Sequence, residues 1–142
     1  MVIRSFQNNS YRAINKIHRA IIKRKDKKIN IEWIKCILKS RCRLNLINLD
    51  NEHFDNLIGV YLIWQGSDKH NVIEIGKGFI RERLAVLQRD KDMRKYAPDL
   101  FVTWAAVPTA SLDGVEAFLY NELNPKVQHT ITCHNLINVN LP

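Results

Sequence analysis

Apolar and polar residues alternate with a helical period at the start of the chain and with mixed periods beyond residue 51. In 11–25, Ile14, Ile17, Ile21 and Ile22 share one face while Lys16, Arg19, Lys23 and Arg24 take other positions. This predicts an amphipathic helix with a basic face. The basic run 23–28 breaks the pattern, and Asn30 is placed to cap a second helix with the stripe Ile31, Ile34, Ile37 and Leu38. Further on, 57–64 is a β-branched and aromatic run, 65–71 carries the turn residues Gly66 and Asp68, and 72–76 reads as a second strand. The pair predicts a hairpin. Gly76-Lys77-Gly78 then leads into 79–89, where Phe79, Ile80, Leu84 and Leu87 keep helical spacing. After the polar segment 90–98, residues 100–107 read as a strand buried on both faces and ended by Pro108. Thr109 or Ser111 can cap a further helix, which should end near Leu123 because Pro125 drives Asn124 out of the αR region. The alternation over 137–141 predicts a short edge strand or a tethered coil. The expected fold is α+β: a small three-stranded sheet flanked by helices over 51–142, preceded by a basic helical extension over 1–50.

A length of 142 residues suits one packed core rather than two. No apolar run approaches the roughly 20 residues needed to cross a bilayer, so no membrane is expected. Arg4, Arg12, Lys16 and Arg19 precede any acid, which partly resembles an organelle transit peptide but lacks its serine richness and a cleavage site. Cys36, Cys42 and Cys133 have neither the even number nor the spacing of a secreted disulfide scaffold. They are expected to be ordinary half-buried thiols in a reducing, cytoplasmic setting. With no C-x-x-C or H-x-x-x-H spacing, zinc is not expected even though His134 adjoins Cys133.

The formal charge of +8 is unevenly distributed. Before Asn51 there are 13 basic residues against Asp26, Glu32 and Asp50, whereas the remainder has 9 basic and 11 acidic residues. An anionic partner is therefore expected to meet the first segment. Nucleic acid held by Lys16, Arg19, Lys23 and Arg24 fits this pattern. A merely solvated face, anionic lipid or an acidic protein partner would fit the same charges.

The motifs Gly59-Val60-Tyr61 and Glu74-Ile75-Gly76, followed by Lys77, Arg83-Leu84, Glu116 and Gln128, resemble the GIY-YIG nuclease family in order and spacing over 57–128. The family carries its two motifs on paired strands and its Arg and Glu on the next two helices. The resemblance implies an endonuclease that hydrolyses phosphodiesters with Mg²⁺ or Mn²⁺, acting on nucleic acid, with DNA expected ahead of RNA. It implies catalytic roles for Tyr61, Lys77, Arg83 and Glu116, with Glu116 as metal ligand. The chain departs from the pattern at Glu74, where the family has Tyr, at Gln128, where it has Asn, and at Leu87, where it has His. Its Arg also comes one residue early. These departures leave a second reading open: a nucleic-acid-binding protein that keeps the fold without turnover.

The residues can be weighed on their own chemistry. Glu116 lies beside the stripe Leu112, Val115, Leu119 and Leu123, where a carboxylate must be paired or metal-bound. A salt bridge to Arg83 or Lys77 would satisfy it. Arg83 falls between Phe79 and Leu87 in helical angle and could grip phosphate with its planar fork or lay its stem over the core, whereas Arg81 falls toward solvent. Lys77 could join backbone amides around a phosphate oxygen or mark a flexible turn. Tyr61 resembles the family tyrosine that activates or positions the water. Its ordinary pKa near 10 leaves about one phenolate in a thousand at neutral pH, so it needs a neighbouring positive charge to act as a base, and otherwise it packs its ring. Glu74 shares a strand face with Gly76 and could approach a metal or quench the nearby bases.

Overall fold

The computed structural model describes residues 28–36, 42–67 and 71–142. Its central element is the strand β3 (Ile58–Gln65), whose alternate residues are buried on both faces. Val60, Leu62 and Trp64 join one cluster of core residues and Tyr61 and Ile63 join the other. A strand apolar on both faces demands a layer above and a layer below. β3 pairs antiparallel with β4 (Val72–Phe79) on one side and with β5 (Leu100–Ala106) on the other. The first core helix α1 (Ile80–Arg89) covers the Tyr61 face through Ile80, Leu84 and Leu87. The second, α2 (Leu112–Leu123), covers the opposite face through Leu112, Val115 and Leu119.

The architecture is α+β, with one correction to the expected sheet. The two-residue strand β2 (Cys42–Arg43) adds to β5, giving four strands in the order β2-β5-β3-β4. A separate parallel pair joins β1 (Lys28–Ile29) to β6 (Asn138–Val139). The expected edge strand in the tail is thus present. The expected helix 11–25, with Lys16, Arg19, Lys23 and Arg24, lies outside the described residues.

Asn30 caps no helix, and 30–36 runs without regular structure. Its backbone groups are taken by distant partners instead. The Ile31 N–H donates to Asn140 Oδ1, Asn140 Nδ2 donates back to the Ile31 carbonyl, and the Ile34 N–H donates to the Trp104 carbonyl. Ile31 and Trp33 are buried in the core, and the Trp33 indole donates to the Asn140 carbonyl. Burial and non-local hydrogen bonds outweigh the helical period here.

Cys36 and Cys42 are joined in a disulfide with Cα atoms 5.2 Å apart, contrary to the expectation of free thiols. Ile34 and Cys42 both lie against β5, at Trp104 and Val102, so the two cysteines are brought together from either side of residues 37–41. Cys133 is a free, half-buried cysteine. The pairing removes the ground on which a reducing compartment was expected. Among the described residues no helix is long and apolar enough to cross a membrane.

The second helix starts later than its sequence suggests. Thr109–Ser111 form a single 3-10 turn, and Ser111 takes the N-cap position without a side-chain hydrogen bond. At the other end Asn124 adopts a left-handed conformation with φ 43° ahead of Pro125. The chain reverses there. Lys126 and Val127 then donate to the carbonyls of Val72 and Ile73, which lays 126–127 along the outer edge of β4.

Candidate active site

The edge strand β4 places its residues on alternate faces. Glu74 and Gly76 point to the α1 face beside Tyr61, and Lys77 points to the α2 face. Around this edge lies a cleft of about 270 Å³ lined by Gly76, Lys77, Arg83, Glu116, His129 and Thr130. Three elements of the fold and the segment after Pro125 therefore converge on it.

On the α2 side, Lys77 Nζ lies 2.5 Å from Asp113 Oδ1 and 3.1 Å from Glu116 Oε1. Asp113 and Glu116 are three residues apart on α2, so both can reach one ammonium. Burial works against the Lys77 charge, but the hydrogen bonds to Asp113 and Glu116 outweigh it and hold its pKa above the ordinary value. The half-buried Glu116 is thus met by Lys77, as one reading of the sequence expects. Asp113 was not foreseen in this role.

On the α1 side, the Tyr61 hydroxyl donates to Glu74 Oε1 over 3.1 Å, and both residues are buried. Tyr61 stands directly across from Gly76, and a Cβ on Gly76 would lie 2.2 Å from the phenol oxygen. Glycine is therefore required there for the ring to lie flat over the strand. Burial pushes the Tyr61 pKa far up, the Glu74 charge adds to the rise, and Arg83 opposes it without prevailing. A tyrosine so placed keeps its proton at neutral pH. It is a hydrogen-bond donor: the cation that a basic Tyr61 would need, Arg83, is beside it, but burial and then Glu74 outweigh that cation.

Arg83 is exposed on α1 and joins the two sides. Its pKa is raised first by Tyr61 beside it, through charge and hydrogen bonding, and then, against a cost of burial, by Glu74 and Glu116. Arg81, by contrast, is an anchor. Its guanidinium donates to the carbonyls of Leu49 and Asn51 and to Asp55 Oδ1, tying α1 to the segment before β3. The helical angle had Arg81 facing solvent, yet it is half-buried and held by these partners, whereas Arg83 is the exposed one, because the segment before β3 covers that side of α1. Leu87 is core, 5% exposed.

Gln128 is not brought to the cleft. Its side-chain amide donates to the Pro125 carbonyl three residues back, and the residue is exposed. His129 takes the facing position, with Nε2 3.6 Å from Glu74 Oε1. The Tyr120 hydroxyl sets this register, since it donates to the Val127 carbonyl over 2.8 Å and accepts from the His129 N–H. The only sequence signal for His129 is its place next to Gln128.

Among the described residues no three His, Cys, Asp or Glu side chains form a cage for a metal ion. Glu116 and the adjacent Asp113 are nevertheless a donor set suited to a magnesium-like ion. Such an ion takes one or two carboxylates and completes its shell with water and substrate phosphate. Compared with models of protein families, with curated proteins and with solved structures, the chain matches none.

Proposed function

We propose that the protein is a nucleic-acid-directed endonuclease of GIY-YIG type that hydrolyses phosphodiester bonds at the β4 edge. The observation that carries this reading is the arrangement of Lys77, Arg83 and Glu116 around one cleft, with Tyr61 packed on Gly76 behind it. Two cations and a carboxylate in one cleft beside β4 suit a phosphodiester, whose oxygens need positive charge as the bond is broken. Arg83 would grip a non-bridging oxygen with its fork. Lys77 would exchange a carboxylate for phosphate, and Glu116, freed from Lys77, would hold a divalent cation such as Mg²⁺ or Mn²⁺. That cation would supply charge against the phosphoryl oxygens. The basic residues Lys16, Arg19, Lys23 and Arg24 would add affinity for the polymer, with DNA as the expected substrate.

Purified full-length protein should nick supercoiled plasmid with Mg²⁺ or Mn²⁺. Glu116→Gln should slow nicking about a hundredfold or more while the chain stays folded, the scale of losing one charge-stabilising group. Absence of metal-dependent nicking by the wild type overturns the reading. The buried hydrogen bond from Tyr61 to Glu74 favours a second reading, binding without turnover, because it withholds the tyrosine from water. Salt-dependent DNA binding without nicking would select that reading.

A further inference from the structure

If the phenol of Tyr61 keeps its proton, a hydrolytic site at this edge needs another acceptor for the proton of the attacking water. His129 is placed for it. The imidazole is about half exposed, at 46%, while the Glu74 carboxylate it faces is only 6% exposed. It also lies where two clefts meet. One is the Lys77–Arg83–Glu116 cleft, and the other is a neighbouring space of about 360 Å³ that includes Glu74, Arg83, Leu87 and Tyr96.

Glu74 links the buried Tyr61 hydroxyl to this exposed imidazole. A buried carboxylate is costly unless its charge is met. Here the Tyr61 O–H, the His129 ring and the positive Arg83 meet it. The same order, an inner fixed carboxylate behind an outer imidazole, holds the ring in one tautomer at nucleophilic and hydrolytic sites. The His129 backbone is also fixed, by the Tyr120 hydroxyl. The charged and titratable groups around the imidazole are Glu74 with Tyr61 behind it, Arg83 from α1, Tyr120 from α2, Lys77 and Glu116 across the cleft, and Asp90, Asp92, Lys95 and Tyr96 from the segment after α1.

We infer that His129 is a catalytic base of this site and that Glu74 is its positioning residue, an inference that rests on the phosphodiesterase reading. With Nε2–H turned to Glu74, Nδ1 is the free acceptor. It takes a proton from water as the water oxygen bonds to phosphorus. The bond from phosphorus to the leaving oxygen breaks, and its electron pair stays on that oxygen, which takes a proton from solvent. The imidazolium then returns its proton to solvent, leaving a phosphate monoester and an alcohol. The departure of Glu74 from the family pattern is in this account neither decay nor a second metal ligand. It is the group that recruits a histidine from the segment after α2.

The test compares metal-dependent nicking rates across pH, together with DNA affinity, for wild type, His129→Ala and Glu74→Gln. His129→Ala should lower the maximal rate about a hundredfold, the scale of general-base catalysis, and leave DNA affinity within about twofold. Its profile should lose the acid limb, and added imidazole should restore part of the rate. Glu74→Gln should retain the histidine but lower the maximal rate at least about tenfold while leaving DNA affinity within about twofold, because a neutral amide no longer fixes the ring. A nicking wild type whose His129→Ala variant nicks within about threefold, with the same profile, overturns this inference alone. A Glu74→Gln variant that nicks within about threefold of wild type overturns the positioning role. A wild type that nicks no substrate overturns both this inference and the function on which it rests.

Discussion

The Tyr61 hydroxyl donates to the Glu74 carboxylate across the β3–β4 pair at 3.1 Å, with the ring pressed on Gly76. Burial first, and then the charge of Glu74 in this contact, keep the phenol protonated. Together they also make Tyr61 a source of pH-dependent stability.

In the native state the Tyr61 pKa is raised by burial and by Glu74, whereas in the unfolded chain it returns to about 10. Above that pH the native state holds a proton that the unfolded state has lost. The stability contributed by Tyr61 is therefore complete below about pH 10 and is lost as pH rises toward the raised native value. Tyr61→Phe should cost about 1–3 kcal/mol near neutrality, since a buried carboxylate loses its donor. Urea unfolding at pH 8 and pH 10.5 should show the wild-type advantage shrinking at the higher pH; an advantage that stays constant or grows contradicts the assignment.

The two arginines of α1 should separate cleanly. Arg81→Ala removes hydrogen bonds to Leu49, Asn51 and Asp55 and should cost about 1–2 kcal/mol of stability, with DNA affinity unchanged in the folded fraction. Arg83→Ala should cost less stability than Arg81→Ala, because the buried Glu74 keeps the Tyr61 hydroxyl as its donor. Its DNA affinity should weaken, with a salt dependence shallower by about one unit. Equal effects of the two variants on stability and on binding would defeat both assignments.

Gly76→Ala places a methyl group against the Tyr61 phenol. Because that ring is wholly buried between β4 and α1, it has no open space into which to move. Overpacking of this kind costs about 1–3 kcal/mol. Thermal unfolding should show the loss, and an unchanged melting temperature would mean that Tyr61 is less confined than its burial implies.

Elements fixed by local pattern were legible in the sequence. The hairpin, both core helices and the strand before Pro108 lie within a few residues of their expected bounds, since each rests on period, turn residues and proline. What was not legible depends on distance along the chain. The apolar stripe of 30–36 suits a helix, yet Asn140 claims the backbone of Ile31 from 109 residues away. The choice of His129 over Gln128 turns on the backbone bonds that lay 126–127 on β4 and on the Tyr120 hydroxyl of α2. A one-residue register of this kind leaves no trace in composition or periodicity. That Glu116 would be paired with a base, Arg83 or Lys77, was readable because a carboxylate beside an apolar stripe must find a partner, and Lys77 is that partner.

These non-local contacts set apart two shortened chains. A chain begun at Lys28 loses eight basic residues and Asp26, so its formal charge falls from +8 to +1. It keeps β1, Ile31, Trp33 and the Cys36–Cys42 pair. It should unfold cooperatively but bind DNA more weakly, with a shallower dependence on the logarithm of salt concentration. A chain begun at Asn51 loses in addition the buried Ile31, Trp33, Cys42 and Leu44 and leaves β5 without β2. Burial of a large apolar side chain is worth about 1.5–3 kcal/mol, so losing Ile31, Trp33 and Leu44, with Cys42 and its disulfide besides, rivals the whole stability of a small domain. That chain should be insoluble or unfold without cooperativity. Denaturant titration with paired salt series would check both. Cooperative unfolding of the shorter chain would show that 28–50 only decorates the core, and unchanged affinity and salt slope in the longer one would remove the basic first segment from DNA binding.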